Sequence, residues 1–251
     1  MPDVAEKIFS VPKKKVPVLV CGLPGSGYVG KLAADHLVGE YGMKIAAEYT
    51  TGSFPPQAEV GEDGTVRAPK GELFYAPRGK GLLLFTADAQ PNSSEGEYEL
   101  ADAVVKFAKR YGVKRVYALA AYITGGFSQA PKVCGSGTSK GTLKDLEKAG
   151  ATLMKEGGIS GMNGVLIGMA GLRGLEGGCL LGETSGFVVD AGASKSVLEV
   201  LSKLAGLEVD TSKLKQRAEE TKKVITQLQA MYEGSQEAQQ PRREPRPGYI
   251  G

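Results

Sequence analysis

The sequence predicts an α/β protein whose mainly parallel, mixed sheet is covered by helices on both faces. Short apolar runs rich in β-branched residues alternate with segments whose apolar side chains recur at helical spacing. Glycine is frequent, at 36 of 251 residues, and it clusters between the apolar runs. Such clusters favour tight turns and close contacts between helices and sheet.

The predicted elements of the first half follow an unpatterned leader. Residues 1–15 form this flexible leader, and residues 16–210 form the α/β domain. Apolar patterning predicts, in order, a strand at 16–21, a helix at 28–38, a strand at 44–50, a hairpin within 55–76, a strand at 82–86, a helix at 95–111 and a strand at 113–121. The hairpin rests on an Asp63-Gly64 turn signal and makes the sheet mixed.

The ends of the 95–111 helix have their own signals. Ser94 and Glu97 have the spacing of a capping box, which satisfies N–H groups at a helix start. Gly112 is placed to end the helix.

The second half continues the alternation and ends in a polar tail. We expect a helix at 139–149, an extended piece at 151–154, a glycine-rich helix at 161–172, a strand at 178–181 and a helix at 192–205. Residues 211–233 form a final helix rich in Lys, Glu and Gln. Residues 234–251 are rich in Gln, Glu, Pro and Arg, so they bury too little apolar area to fold and are predicted to be disordered.

Net charge, apolar run length and cysteine spacing indicate which classes of partner and which cellular compartment to expect. The formal net charge is +3 and the basic residues are spread out, so we expect no nucleic-acid partner. No apolar run reaches the roughly 20 residues that span a bilayer, so we expect no membrane association. The sequence has three cysteines, Cys21, Cys134 and Cys179, and they are widely spaced. An odd number at this spacing favours reduced thiols and therefore a protein of the cytoplasm.

A glycine motif at residues 25–30 has two interpretations. It matches G-x-G-x-x-G between a strand and a helix, and Glu48 follows 23 residues after Gly25, as in a dinucleotide site. The other interpretation is a tight turn with a glycine at a packing contact. We favour the turn, because Gly22 and Pro24 make the segment between the strand and the motif longer than in the usual dinucleotide-binding loop.

Two polar groups are weaker candidates. The first is a set of acidic residues: Asp88, Glu95, Glu97 and Glu99. The second is Glu183-Thr184-Ser185-Gly186, which follows a predicted strand. A helix start and a capping turn account for them, and the single histidine, His36, lies mid-helix. We therefore predict no catalytic, cofactor-binding or metal-binding residues.

Four blocks together resemble the proteasome assembly chaperone family, in its archaeal branch. They are VCGLPGSGYVGKLAAD at 20–35, QPNSSEGEYELA at 90–101, GISGMNG at 158–164 and CLLGETSG at 179–186. The resemblance implies a three-layer α/β/α fold similar to that of nucleoside phosphorylases, without their activity. It also implies homo-oligomers.

The resemblance directs attention to the end of the tail. Some family members end in a hydrophobic residue, a tyrosine and one further residue, which insert into pockets on the proteasome α-ring. Here the last residues are Tyr249, Ile250 and Gly251, so the tyrosine is third from the end and Gly248 precedes it. We predict that these three bind a partner, either proteasome subunits or a related family member.

Two functional hypotheses follow. The first is a non-catalytic, proteasome assembly chaperone-like scaffold, favoured by the scarcity of catalytic groups and by the tail. The second is a nucleotide- or nucleoside-binding enzyme of phosphorylase-like fold that uses the loop at residues 25–30. A phosphate site would favour an arginine clamp, whereas Lys31 is the one cation next to this loop.

Overall fold

A computed structural model describes residues 4–79, 81–128 and 130–223. The strands in these ranges are β1 (Val4–Ile8), β2 (Val18–Gly22), β3 (Lys44–Thr51), β4 (Glu59–Val60), β5 (Val66–Arg67), β6 (Gly71–Tyr75), β7 (Leu82–Ala87), β8 (Arg115–Ile123), β9 (Val133–Gly137), β10 (Thr152–Leu153) and β11 (Glu176–Thr184). The α-helices are α1 (Val29–Glu40), α2 (Ser94–Arg110), α3 (Lys140–Ala149), α4 (Gly161–Leu172) and α5 (Ala191–Ala205). Residues 212–223 are also helical, and we call them the C-terminal helix.

The main sheet is mixed. Within the described ranges it has the strand order β1-β3-β6-β7-β2-β8-β11-β9-β10, and β4 and β5 form a separate antiparallel hairpin. Its centre, β7-β2-β8-β11, is parallel. The β1-β3-β6 flank and the β9 pairing with β11 are antiparallel. The predicted mixed α/β sheet and the predicted hairpin are confirmed.

Helices cover both faces, which gives the expected three layers. On one face α2 and α4 close a core that includes the side chains of Leu19, Phe85, Leu100, Phe107 and Leu166. On the other face α1, α3, α5 and the C-terminal helix close a second core that includes Val20, Leu37, Leu119, Leu146, Leu198 and Leu214. The central strands are therefore buried on both sides, as their continuous apolar runs indicate. Among the described helices, none is long and apolar enough to cross a membrane.

The prediction of a flexible leader over residues 1–15 is wrong for residues 4–8. These residues form the edge strand β1, which pairs antiparallel with β3 from Val4 opposite Thr51 to Ile8 opposite Ala47. Most β1 side chains are exposed, so main-chain hydrogen bonds hold the strand. Strand pairing of this kind leaves no apolar run in the sequence, which is why the pattern missed it.

Two further differences are local. The predicted capping box of Ser94 and Glu97 is wrong: the N-cap of α2 is Ser93, whose hydroxyl accepts from the Gly96 N–H at 3.2 Å, and Gly96 has no side chain to complete a box. The predicted stop is present, since Gly112 follows α2 with a φ of +91°. Strand β9 was not predicted, because its glycines break the apolar run. The predicted disordered tail at 234–251 and the end of the 211–233 helix lie outside the described residues.

Candidate functional site at the carboxyl edge of the sheet

The parallel strands β7, β2, β8 and β11 end at the same edge of the sheet, which we call the carboxyl edge. Four connections begin there: residues 23–28 after β2, 88–93 after β7, 124–128 after β8 and 185–190 after β11. Open α/β sheets bind ligands at this edge. The glycine motif and the Glu183–Gly186 turn both lie here, so it is the candidate site.

Packing explains the glycine at the end of β2, Gly22, and the glycine in the first turn of α1, Gly30. Residues 26–28 form a 3-10 turn that leads directly into α1. A Cβ atom on Gly22 would lie 2.2 Å from the carbonyl oxygen of Gly30, which is far inside van der Waals contact. Helix α1 therefore packs directly on β2, as the packing interpretation predicted.

The polar groups around the loop are used within the protein. The Gln90 side chain donates to the Pro24 carbonyl at 2.6 Å and accepts from the N–H of Met162 at 3.0 Å. The Asp190 N–H donates to the carbonyl of Gly27 at 2.8 Å. These bonds fasten the loop to the start of α4 and to the turn after β11.

Glu48 lies away from the glycine loop. It is on β3, and β6 and β7 separate that strand from β2. Its carboxylate pairs with Lys70, which also binds Glu72 at 2.8 Å. Burial alone would lower the pKa of Lys70, but hydrogen bonds to the two carboxylates outweigh burial and raise it. Glu48 is committed to this ion pair, so the geometry gives no support to the nucleotide-binding alternative.

The acidic candidates do not converge on one point. Asp88 forms a bidentate pair with Arg67 at 2.5 and 3.0 Å and accepts from the Lys70 N–H at 2.9 Å. Glu95 and Glu97 lie in the first turn of α2, where carboxylates complement the helix dipole. Burial raises the pKa of Glu97. Over the described ranges no three His, Cys, Asp or Glu side chains form a metal-binding group.

The side chains of the Glu183–Gly186 turn build the turn itself. Glu183 accepts from the Lys132 N–H at 3.0 Å. The Thr184 hydroxyl accepts from the N–H of Gly186 at 3.3 Å, and Ser185 Oγ accepts from that of Phe187 at 3.4 Å. His36, the single histidine, lies on α1, where its Nε2 is 2.7 Å from the Asp210 carbonyl oxygen. Ser185 therefore has no histidine base.

Asp190 is a buried polar residue that the sequence analysis did not single out. Its Oδ1 accepts from the Ala193 N–H at 2.9 Å and caps α5. Its Oδ2 is buried and has no hydrogen-bond partner among the described residues. An aspartate just before a helical pattern is a standard capping signal, so the sequence contained the means to find it.

The carboxyl edge also exposes apolar side chains that the sequence analysis overlooked. We call them the edge patch: Tyr28, Ile123, Phe187, Val188 and Val189. Phe187 is 85 % exposed and Ile123 is 60 % exposed. The available signal was the run Phe187-Val188-Val189 after Gly186, where the pattern predicts a connection and not a buried strand.

The C-terminal helix connects this edge to the tail. It packs on α1 and α5 through the buried Leu214 and the half-buried Ala218. A cleft of about 440 Å³ lies between it and two other segments, whose lining residues include Phe127, Pro131 and Lys195. Thr221 lines the cleft near the last described turn of the helix. The predicted partner-binding residues, Tyr249, Ile250 and Gly251, lie outside the described residues.

Solved structures from Pyrococcus furiosus resemble this chain closely. PbaB, an archaeal proteasome activator, is 30 % identical in sequence to this chain, and the two structures superpose with a TM-score of 0.85. The match covers 91 % of this chain and 100 % of the PbaB chain. PbaA, an archaeal homologue of a proteasome-assembly chaperone, is also 30 % identical, with a TM-score of 0.76 over 94 % of both chains. An uncharacterized protein of Methanocaldococcus jannaschii is 34 % identical over 231 residues, which are 92 % of this chain and 90 % of that protein.

The family assignment rests on a match along most of the chain. The model of the PAC2 family matches residues 19–229. That range contains all four sequence blocks that resemble the proteasome assembly chaperones, and the structural similarity to PbaA and PbaB confirms that resemblance. The chain therefore belongs to the PAC2 family.

Proposed function

We propose that this protein is a non-catalytic, proteasome assembly chaperone-like scaffold of the cytoplasm. It acts as a homo-oligomer and docks partners through its C-terminal tail. One observation carries the proposal: the polar groups around the glycine loop and in the Glu183–Gly186 turn hold the connections of the carboxyl edge together, and the same edge exposes the apolar side chains of the edge patch. An enzyme of this fold class would place reactive groups there, whereas an apolar surface suits contact with another protein.

The proposed partners are proteasome subunits or a related family member. PbaB, which shares the fold over nearly its whole length, is a proteasome activator, and PbaA is a homologue of an assembly chaperone. Identity of 30 % to both supports carrying the proteasome as partner class to this chain. Activation of finished particles and assistance in assembly both require a surface that binds proteasome subunits.

The docking residues in this proposal are Tyr249, Ile250 and Gly251. A tyrosine ring fills an apolar slot while its hydroxyl finds a polar partner. Three arginines precede Tyr249 in the tail: Arg242, Arg243 and Arg246. They would add a salt-sensitive attraction to an acidic surface on the partner. A homo-oligomer presents several tails together, so weak single contacts combine into avidity.

Binding to purified proteasome from the same organism tests the proposal. Immobilised protein is compared with a variant that lacks residues 248–251 and with Tyr249→Ala. Tyr98→Ala is the matched control, because Tyr98 is an exposed tyrosine of α2. We expect both tail variants to lose at least tenfold in affinity and the control to bind like wild type. Full retention by the truncated protein would show that the tail is not the docking element.

A further inference from the structure

The segment that leads into the C-terminal helix is fastened to the α/β domain. Residues 206–211 connect α5 to this helix. The Tyr41 hydroxyl donates to the carbonyl of Glu208 at 2.8 Å. His36 Nε2 lies 2.7 Å from the carbonyl oxygen of Asp210, and it is the donor because a carbonyl can only accept. Two hydrogen bonds from α1 and its end therefore hold the chain in place up to Asp210.

The C-terminal helix itself contacts the domain through few side chains. Among residues 212–223 the side chain of Leu214 is buried, those of Ala218 and Thr221 are half-buried, and the rest are exposed. Leu214 and Ala218 belong to the core formed with α1 and α5. A helix in a protein gains most of its stability from the packing of its apolar face, and here that face consists of these three side chains.

Open clefts flank this contact on both sides. One cleft, of about 590 Å³, lies between the helix and α1, and its lining includes His36 and Arg217. The cleft of about 440 Å³ lies on the side of α5, and its lining includes Lys195 and Glu219. Solvent therefore reaches both flanks of the helix, and the α/β domain would lose little packed surface if the helix moved away.

The packed position of the helix also leaves a polar atom unsatisfied. Asp190 Oδ2 is buried and has no hydrogen-bond partner among the described residues. Its carboxylate lies beside the helix, because a Cβ atom on Gly192 would lie 3.3 Å from Asp190 Oδ1 and 3.7 Å from Ala218 Cβ. A buried oxygen without a partner costs free energy. Withdrawal of the helix would open the cleft to water at this carboxylate, so the cost falls on the packed position.

We propose that the C-terminal helix is a releasable element: residues 212–223 leave the surface of α1 and α5 as one unit while the α/β domain stays folded. Segments with few buried apolar contacts open at free energies well below that of global unfolding. Asp210 marks the fixed end, because the hydrogen bond from His36 stops there.

Release would change the reach of the tail, and this consequence rests on the proposed function. Residues 224–251 follow the helix in the sequence. Twelve residues span about 18 Å as a helix and about 40 Å when extended. Opening of residues 212–223 would therefore lengthen the tether that carries Tyr249 by roughly 20 Å.

A reversible cross-link tests the proposal on the full chain. Gly192→Cys together with Ala218→Cys places two Cβ atoms about 3.7 Å apart, which is within the range of a disulfide. The variant also carries Cys134→Ser, and the remaining thiols, Cys21 and Cys179, are buried. The oxidised form holds the C-terminal helix on α5, and the reduced form of the same protein is the matched control.

Amide hydrogen exchange, resolved by NMR, reads out the release. In wild type we expect the amides of residues 216–223 to exchange at least 100-fold faster than those in the middle of α5. Their protection should be similar along the segment, because release of one unit exposes all of them together. Oxidation of the cysteine pair should slow their exchange at least tenfold, and reduction should restore the rate.

A second variant separates the helix from the cooperative core. Leu214→Ala removes the buried side chain of the helix and should speed exchange of residues 216–223 at least tenfold, with an unchanged urea midpoint of the α/β domain. Leu201→Ala is the matched comparison, because Leu201 is fully buried in α5. It should lower that midpoint clearly, since α5 unfolds with the sheet.

Three results would overturn the release. They are equal exchange of residues 216–223 and α5 in wild type, equal exchange of these amides in the oxidised and reduced forms, and equal loss of midpoint in Leu214→Ala and Leu201→Ala. Protection that falls steadily toward residue 223 would also overturn it, because that gradient is fraying of a helix end.

Proteasome binding by the oxidised and reduced forms then tests the consequence for the tail. We expect the oxidised form to bind at least threefold more weakly. Equal binding would overturn the link between release and reach. If removal of residues 248–251 leaves binding intact, the proposed docking by the tail fails, while the exchange results still decide whether the helix is released.

Discussion

Gly30 of α1 lies directly against the backbone of Leu119 in β8. A Cβ atom on Gly30 would stand 2.1 Å from the Leu119 carbonyl oxygen, and neither the helix nor the strand has a flexible side chain there that can yield. We expect Gly30→Ala to lower the free energy of unfolding by about 3 kcal/mol, at the upper end of typical overpacking costs. Urea denaturation measures the change.

The same helix supplies the control for this prediction. Gly39 is in α1, has open space around it and a φ that alanine adopts. Gly39→Ala should raise the free energy of unfolding by about 0.5–1 kcal/mol, because alanine restricts the unfolded chain and favours helix. Equal effects of the two substitutions would mean that the Gly30–Leu119 contact does not limit the side chain at residue 30.

The glycine loop should bind no dinucleotide. Within the loop the Tyr28 N–H is already used, since it donates to the Gly25 carbonyl at 2.9 Å. Glu48 is paired with Lys70 and lies on β3, two strands away from β2, so it is not placed to hold a ribose beside the loop. Titration calorimetry with NAD, NADP and mononucleotides should give no heat of binding at micromolar protein. Micromolar binding that Glu48→Gln weakens would restore the nucleotide-binding interpretation.

The buried elements were predictable because burial leaves a pattern in the sequence. Strand β7 is buried at all six positions and reads as the apolar run Leu82–Phe85. Helix α2 shows its periodicity over four turns. Strand β1 was missed because it is held by main-chain pairing, and β9 because Gly135 and Gly137 pack closely without apolar side chains.

The candidate site was harder to predict than the fold. The glycine motif, Glu48 and the acidic residues have suggestive spacing, but spacing along the chain does not say which strands are neighbours. The order β3-β6-β7-β2 separates Glu48 from the loop, and this order depends on long-range pairing. The edge patch was missed for a related reason. The run Phe187–Val189 lies in a predicted connection, and only the fold shows that its side chains stay exposed at the carboxyl edge.

The three thiols should differ sharply in reactivity. Cys21 and Cys179 are buried, and burial raises the pKa of Cys179 to about 12. Burial also raises the pKa of Cys21, with a further contribution from Cys179. Cys134 is only partly buried, although burial raises its pKa too. Iodoacetamide at pH 8 should therefore modify Cys134 well before the other two.

Peptide mass spectrometry with a time course checks this order. In denaturant all three cysteines should react at similar rates, because the thiolate is the nucleophile and unfolding returns each thiol to water. Cys134→Ser should remove nearly all labelling of the native protein. Rapid modification of Cys21 or Cys179 without denaturant would contradict the burial of these residues between the sheet and its helices.

The pair between Arg67 and Asp88 should make stability depend on pH in the acidic range. Burial alone would raise the pKa of Asp88, but the hydrogen bonds from Arg67 and from the Lys70 N–H outweigh it and hold the pKa below its ordinary value. A carboxylate with a lowered folded pKa stabilises the protein fully above its unfolded pKa of about 3.9. The contribution is lost as the pH falls through the lower, folded value.

Asp88→Asn should therefore lower the free energy of unfolding at pH 7, and the deficit should shrink as the pH falls below about 4. We expect about 1 kcal/mol at pH 7, because the Arg67 side chain is nearly half exposed and solvent screens the pair. Urea denaturation at pH 7, 5 and 3 measures both proteins. Glu199→Gln, which removes an exposed helical pair with Lys195, is the control and should cost at most about 0.5 kcal/mol. If Asp88→Asn lowers the free energy of unfolding by as much at pH 3 as at pH 7, the loss cannot come from an ionised carboxylate. The effect would then be due to the shape of the side chain.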